Sequence, residues 1–179
     1  MRQPQTTISR DGGPELTDRI RPLVPSDRAR VEAMTRAVRV FRDNEIPVAL
    51  EVFDGATGAN GKRLDPDYRA VGIERGGELI AWACWGPTPG TVATFDLYWI
   101  VVDPAWQSRG LGSLMVDEME RRLSGIANLV VVVTSGRSDY APTRGFYLRH
   151  GYSIKGTIED YYAPGDDQVI FAKRLSRGD

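Results

Sequence analysis

Between Asp18 and Leu23 (DRIRPL) polar and apolar residues alternate with the two-residue period of a strand covered on one face. Pro25 and Ser26 then read as a helix start with Ser26 as its cap, and Val31, Met34, Val38 and Phe41 recur at spacings of three and four, the stripe of an amphipathic helix. A second helical stretch spans Ile46 to Phe53. After it, DGATGANGKRLDPD, broken by Gly55, Gly58, Gly61 and Pro66, predicts a long loop of the kind that carries function or moves. The centre of the chain reads as β: Tyr68 to Arg75, a Gly76-Gly77 turn, Glu78 to Trp85, and Val92 to Val102, most simply two antiparallel hairpins in succession. Beyond Pro104 the period changes to 3.6, with Leu111, Leu114, Met115, Met119 and Leu123 on one stripe. Asn128 to Thr134 (NLVVVVT) is a continuous β-branched run, as in a strand buried on both faces. Pro142 to His150 is a short helix stopped by Gly151, and Tyr152 to Ile158 and Val169 to Lys173 are the last strands. The order β, α, α, β, β, β, α, β, α, β, β contains no internal repeat.

The length, 179 residues, suits one domain, expected at 18–179 behind a polar N-terminal leader at 1–17 that lacks the apolar core of a secretory signal. A hydrophobic fraction of 41% with 26% charged residues is that of a soluble globular protein, and no run of about 18 apolar residues could span a bilayer. The net charge of −1 gives no general attraction to nucleic acid or anionic membrane, so neither is expected as a partner. One cysteine, Cys84, allows no internal disulfide, and one histidine, His150, allows no Cys/His zinc site, so no metal is expected and the cytoplasm is the expected compartment. Any catalysis then falls to carboxylates, tyrosines and backbone amides. His150, just before Gly151, reads as a helix-end residue beside the dipole, and Cys84 as a small core residue.

The chemistry-bearing stretch is LYWIVVDPAWQSRGLGSLM, Leu97 to Met115, a strand that feeds a tight turn and then the striped helix. Gly110 and Gly112 let successive backbone N–H groups converge, and the helix that follows adds unpaired donors and the positive end of its dipole, which together make a pyrophosphate cradle. Arg109 is either a cation beside that cradle or a solvated loop residue. A phosphate-binding P-loop needs Gly-Lys-Ser/Thr, and Gly112 is followed by Ser113 with no lysine. A dinucleotide fingerprint needs a third Gly or Ala, and its place is taken by Met115.

Gln107, Gly110 and Gly112, set after a strand and before a helix, resemble the Gln/Arg-x-x-Gly-x-Gly acetyl-CoA motif of the GNAT superfamily. Arg144 to Tyr152 (RGFYLRHGY) resembles the later motif of the same superfamily, a helix that carries Phe-Tyr and ends in Gly-Phe/Tyr before a strand. The resemblance covers roughly Arg19 to Leu175. It implies an α/β fold of the α+β type: a mixed, mostly antiparallel twisted sheet of about seven strands with splayed central strands, flanked by about four helices. It also implies acetyl-CoA as acyl donor, with the backbones of Ile100, Val101 and Val102 along the pantetheine arm and the amides of Ser108, Arg109, Gly110, Leu111, Gly112 and Ser113 at the pyrophosphate. The acceptor would be an amine of a small molecule or a peptide. The segment IEDYYAPGDDQVI, Ile158 to Ile170, resembles the tail of bacterial ribosomal-protein N-terminal acetyltransferases, which points to a peptide N-terminus. Dimers are common among similar proteins, so a homodimer is compatible with the resemblance, although no surface stripe compels one.

An alkylammonium with a pKa of about 10.4 must lose a proton before its nitrogen can attack a thioester. Asp96 stands eleven residues before Gln107, where some members of the superfamily place a strand glutamate as base, so Asp96 is either that base, working through a water, or a strand-edge carboxylate. Tyr147 lies where similar enzymes keep the acid that protonates departing CoA, and is otherwise a packing residue. Tyr98 and Trp99, read as alternating along the strand, Tyr68 and the Glu159–Tyr162 segment supply aromatic and acidic groups for a cationic amine, with Tyr98, Tyr68 and Tyr161 as the expected contacts. The competing reading is a non-catalytic acyl-CoA-binding module that keeps the cradle without the chemistry.

Overall fold

The computed structural model describes residues 17–175, so the leader expected at 1–17 lies, except for Thr17, outside the described residues. Strand β1 (Arg19–Pro22) is followed by helices α1 (Arg28–Ala37) and α2 (Glu45–Thr57), then by β2 (Arg69–Arg75), β3 (Glu78–Pro87) and β4 (Thr94–Val102). Helix α3 (Leu111–Leu123), β5 (Leu129–Ser135), α4 (Ala141–Arg149), β6 (Ser153–Ala163) and β7 (Asp166–Arg174) complete the order. This is the sequence of elements expected from the hydrophobic pattern.

The start of α1 differs in its chemistry. The Asp27 carboxylate, and not Ser26, accepts the Val24 N–H at 2.9 Å, closing a short 3-10 turn at Pro25–Asp27 that leads into α1. Arg21 grips the same carboxylate at 2.8 and 2.9 Å, and with Val24 holds its pKa below the ordinary carboxylate value despite burial. Helix α1 stops at Ala37, because Arg39 turns to φ 63°, and Phe41 leaves the helix to meet Trp99 edge-on with ring centroids 5.1 Å apart.

Helix α2 runs further than its glycines suggested. Gly55 lies inside it and is buried, and a Cβ there would come within 3.1 Å of the Tyr68 ring. The glycine therefore serves close packing, and the helix ends only at Gly58, whose φ of 72° suits a left-handed cap.

The strands form one seven-stranded sheet in the order β1-β2-β3-β4-β5-β7-β6, antiparallel except where β4 meets β5. Gly76 and Gly77, both at positive φ (60° and 84°), make the tight β2–β3 turn. Two cores cover the two faces. Helix α3 and Tyr147 of α4 pack on one face, with Ala83, Trp85 and Phe171, while α1 and α2 pack on the other, with Trp82 and Cys84.

Two irregularities shape the middle of the sheet. Cys84 pairs with Trp99 and Trp85 with Leu97, so Tyr98 is an extra residue in β4. This bulge shifts the alternation, and Tyr98 and Trp99 both join the α1/α2 side where strict alternation would have separated them. The second irregularity is the brevity of the β4–β5 ladder: Thr94, Phe95 and Asp96 pair with Leu129, Val130 and Val131, and there it ends. Strand β5 consequently differs from the doubly buried strand its β-branched run predicts. Val130 and Val132 are buried, but Val133 is 45% exposed and, with Val131, faces the opening between the strands.

Candidate active site

Beyond the Asp96 rung the β4 and β5 backbones diverge, and a cavity of about 850 Å³ fills the fork. Its walls include Ile100, Val102, Leu111, Phe146 and Tyr147 from one face of the sheet and Val38, Phe41, Val52, Tyr98, Trp99 and Val101 from the other. The cavity thus passes through the sheet, which the splay alone permits. The groups of β4 that point toward β5 have no partner strand over Leu97–Val102, so they are free to bind a ligand chain.

The glycine turn sits at one end. Gln107 donates its side-chain amide to the carbonyl of Val102 at 3.1 Å, tying the turn to the end of the strand. Ser108 (φ 60°) and Gly110 (φ 79°) both adopt left-handed backbone, a conformation from which neighbouring amides can form an anion-binding concavity. Gly110 caps α3, whose first intrahelical bond runs from Leu114 N–H to the Gly110 carbonyl at 3.0 Å; the amides of Leu111, Gly112 and Ser113 are left without helical acceptors. Gln107, Ser108, Gly110, Leu111, Gly112 and Ser113 all line the cavity. Gly112 has a second reason to lack a side chain, since a Cβ would press on the Phe146 ring at 3.3 Å. Arg109 is turned away, its guanidinium 5.0 Å from the Trp106 ring centre with that of Arg75 at 4.8 Å, and the basic residue on the cavity wall at this end is Arg149.

Asp96 lies at the floor of the fork, half-buried, and accepts a hydrogen bond from the Thr88 hydroxyl at 2.7 Å. Tyr147 borders the cavity but is 2% exposed, packed among Phe146, Tyr152 and Phe171, and burial drives its phenol pKa well above the ordinary 10. Tyr98 is also on the wall; burial, reinforced by the Asp96 charge, pushes it up to about 12. Tyr68 stands behind Tyr98, edge-on at 5.5 Å, and does not line the cavity. Tyr161 is 55% exposed and off the wall, and Tyr162 lines it instead. The reason is local: between Ile158 and Ala163 the β6–β7 register slips and Asp160 takes φ 52°, so side-chain alternation cannot be counted through this segment.

A polar cluster lies at the other end of the cavity. Asp166, 3% exposed, receives Arg42 and the Ser135 hydroxyl, and Arg137 lies 3.7 Å away. Arg137 also donates to the Val40 carbonyl at 2.7 Å and to Asp139 at 3.1 and 2.9 Å, and its guanidinium lies 5.2 Å from the Tyr140 ring centre. The segments concerned are far apart in the chain and carry no motif that would announce their meeting. His150 accepts no catalytic position; its Nδ1 is 2.8 Å from the Phe146 carbonyl at the end of α4. Among the described residues no group of three or more His, Cys, Asp or Glu is placed to hold a metal ion, and no helix is long and apolar enough to cross a membrane.

A splayed β4–β5 pair with an amide cradle at the start of α3 is the architecture of an acyltransferase. The chain belongs to the GNAT acetyltransferases: residues 66–154 match the Acetyltransferase (GNAT) domain model. A structure assigned to the GNAT family of acetyltransferases from Desulfovibrio desulfuricans is 34% identical, covers 89% of this chain and 100% of its own, and superposes with a TM-score of 0.81. The ribosomal-protein-S18-alanine N-acetyltransferase from Escherichia coli shares the fold at 17% identity, with 91% and 97% coverage and a TM-score of 0.72. An aminoglycoside 6'-N-acetyltransferase complexed with coenzyme A does so at 16% identity, with 89% and 99% coverage and a TM-score of 0.69. Among curated proteins no sequence matches the chain.

Proposed function

We propose that residues 18–179 form a single catalytic domain that moves the acetyl group of acetyl-CoA to a primary amine by direct attack within a ternary complex, in the cytoplasm and without a metal. The observation that carries this reading is the fork itself: a cavity open through the sheet, with amide donors at one end and an ionisable carboxylate, Asp96, at its floor.

The amides of Ser108 to Ser113 hold the pyrophosphate, and Gly112 lets the chain of α3 approach without a Cβ in the way. The backbones of Ile100 to Val102 pair with the pantetheine arm in the place a neighbouring strand would take. Arg149 supplies positive charge near the cradle, the role the sequence suggested for Arg109. Asp96, through a water, takes the proton from the ammonium; nitrogen then bonds to the acetyl carbon as the carbon–sulfur bond breaks, the Tyr147 hydroxyl protonates the departing sulfur, and the second proton lost by the new amide nitrogen returns through solvent to restore the phenol. Burial keeps this phenol protonated and able to donate a hydrogen bond to that sulfur, while making it a weaker acid than a free tyrosine.

The alternative, an acyl-CoA-binding module without catalysis, is favoured by the depth at which Tyr147 is packed. Purified protein given acetyl-CoA and a panel of amino acids, monoamines, polyamines, aminoglycosides and peptides separates the two. Thiol release that falls in Tyr147→Phe supports transfer. A melting-temperature rise with acetyl-CoA and no release with any amine supports the binding module.

A further inference from the structure

The end of the cavity away from the glycine turn has a definite chemistry. Phe41 meets Trp99 edge-on, Trp99 stacks on Trp82 at 6.4 Å, and Val48 and Val52, one turn apart on α2, continue the same wall. Val48 is 52% exposed, an apolar side chain left facing the opening.

The charged residues on this wall largely neutralise one another. Arg42 is bound to Asp166 and reaches the Tyr162 carbonyl, Arg137 is occupied by Asp139 and the Val40 carbonyl, and Glu45 accepts the Arg42 backbone N–H at 2.6 Å. Leaving aside Arg149, which stands beside the glycine turn, two cations (Arg42, Arg137) face three carboxylates (Glu45, Asp96, Asp166) on the rest of the lining, a net of one negative charge. That balance accommodates one ammonium. A polycation would carry further ammonium groups onto apolar surface or against the two arginines, with a desolvation cost and nothing to offset it.

Resting on the acetyl-transfer reading above, we infer that the acceptor is a monoamine whose amino group is borne by an apolar or aromatic body, which lies against Phe41, Trp99, Val48 and Val52 while the ammonium points to Asp96. Two sources share this chemistry: a small arylalkylamine, and a peptide whose first residue is apolar. Polyamines and aminoglycosides lack it.

The full chain saturated with CoA is titrated calorimetrically with phenylethylamine, a phenylalanine-initiated tripeptide amide, spermidine and kanamycin. One of the two aromatic amines should bind about 10- to 100-fold more tightly than either polycation, the gain of burying one aromatic group. Which of the two prevails identifies the source. Val48→Glu, a half-exposed position where folding is not at risk, should remove most of that preference and leave the CoA-induced rise in melting temperature unchanged; Phe41→Ala should weaken the aromatic amine alone. Equal or tighter binding of spermidine or kanamycin, or no binding of either aromatic amine to a protein that CoA stabilises, overturns the inference and leaves the acetyl-CoA reading standing. Absence of any CoA-induced stabilisation overturns that reading and the inference with it.

Discussion

Asp96 and Val131 face each other across the last rung of the β4–β5 ladder. A carboxylate at this point is fixed by the backbone on both sides and by the Thr88 hydroxyl, so it meets whatever reaches the bottom of the fork. Asp96→Asn should keep the Thr88 hydrogen bond and the fold but lower kcat/KM by about 10²–10⁴-fold, the usual worth of a general base. Thiol release measured against a fixed amine checks this; an unchanged rate would assign proton removal to another group or to solvent.

Gly110 and Gly112 should fail for different reasons when replaced by alanine. Around a Cβ at Gly110 there is no heavy atom within 4 Å, so the penalty is backbone strain at φ 79°, about 1 kcal/mol, and Gly110→Asn should be milder than Gly110→Ala. At Gly112 the conformation is helical and the obstacle is the Phe146 ring, 3.3 Å away. Gly112→Ala should cost about 1–3 kcal/mol as overpacking, and Phe146→Leu should relieve part of it. Urea titrations of the single and double variants separate strain from crowding.

Alkaline pH should weaken the fold through Cys84. Burial raises its thiol from 9.0 to about 12, so the folded protein retains a proton that the unfolded chain releases. Below pH 9 both states hold the proton and the contribution is complete; between about 9 and 12 it is lost. Cys84→Ala removes this dependence, and near pH 10 the wild type should have lost about 1 kcal/mol more, relative to neutral pH, than the variant. The buried phenols of Tyr98 and Tyr147 act in the same direction from about pH 10 upward, and these remain in the variant. A stability profile with no break near pH 9 would contradict the burial of this thiol.

Arg42 and Asp166 lie 124 residues apart in sequence and make a contact that, with the Arg42 bond to the Tyr162 carbonyl, joins the α1–α2 segment to the β6–β7 hairpin. A double-mutant cycle with Arg42→Ala and Asp166→Asn should return a coupling of about 1–3 kcal/mol, the range for a hydrogen bond to a charged group that is partly withdrawn from water. A coupling near zero would mean that Ser135 and Arg137 hold Asp166 equally well without it.

These contacts mark where legibility in the sequence ended. Element order and the glycine turn were readable because each follows from local periodicity or from a motif whose parts are neighbours in the chain, as Gln107, Gly110 and Gly112 are; the fork was expected only through the resemblance that those motifs carry. Gly55 misled because a glycine required for contact with Tyr68 looks the same in sequence as one required for a loop. Tyr161 and Tyr162 exchanged expectations because Asp160 at φ 52° breaks the alternation, as the bulge at Tyr98 does in β4. The Arg42, Arg137 and Asp166 cluster was out of reach, since surface-type residues on two loops and at the start of a strand give no pattern until those segments meet.

Among the described residues, three rungs and the bonds from the Asn128 and Leu129 N–H groups to the Ala93 carbonyl fasten β1–β4 to β5–β7 within the sheet. Mechanically the molecule resembles two plates on a short hinge, and a ligand lying in the fork would act as a rivet between them. Pulled apart across that seam, the plates should separate before either one unravels, and the force required should rise when the rivet is in place.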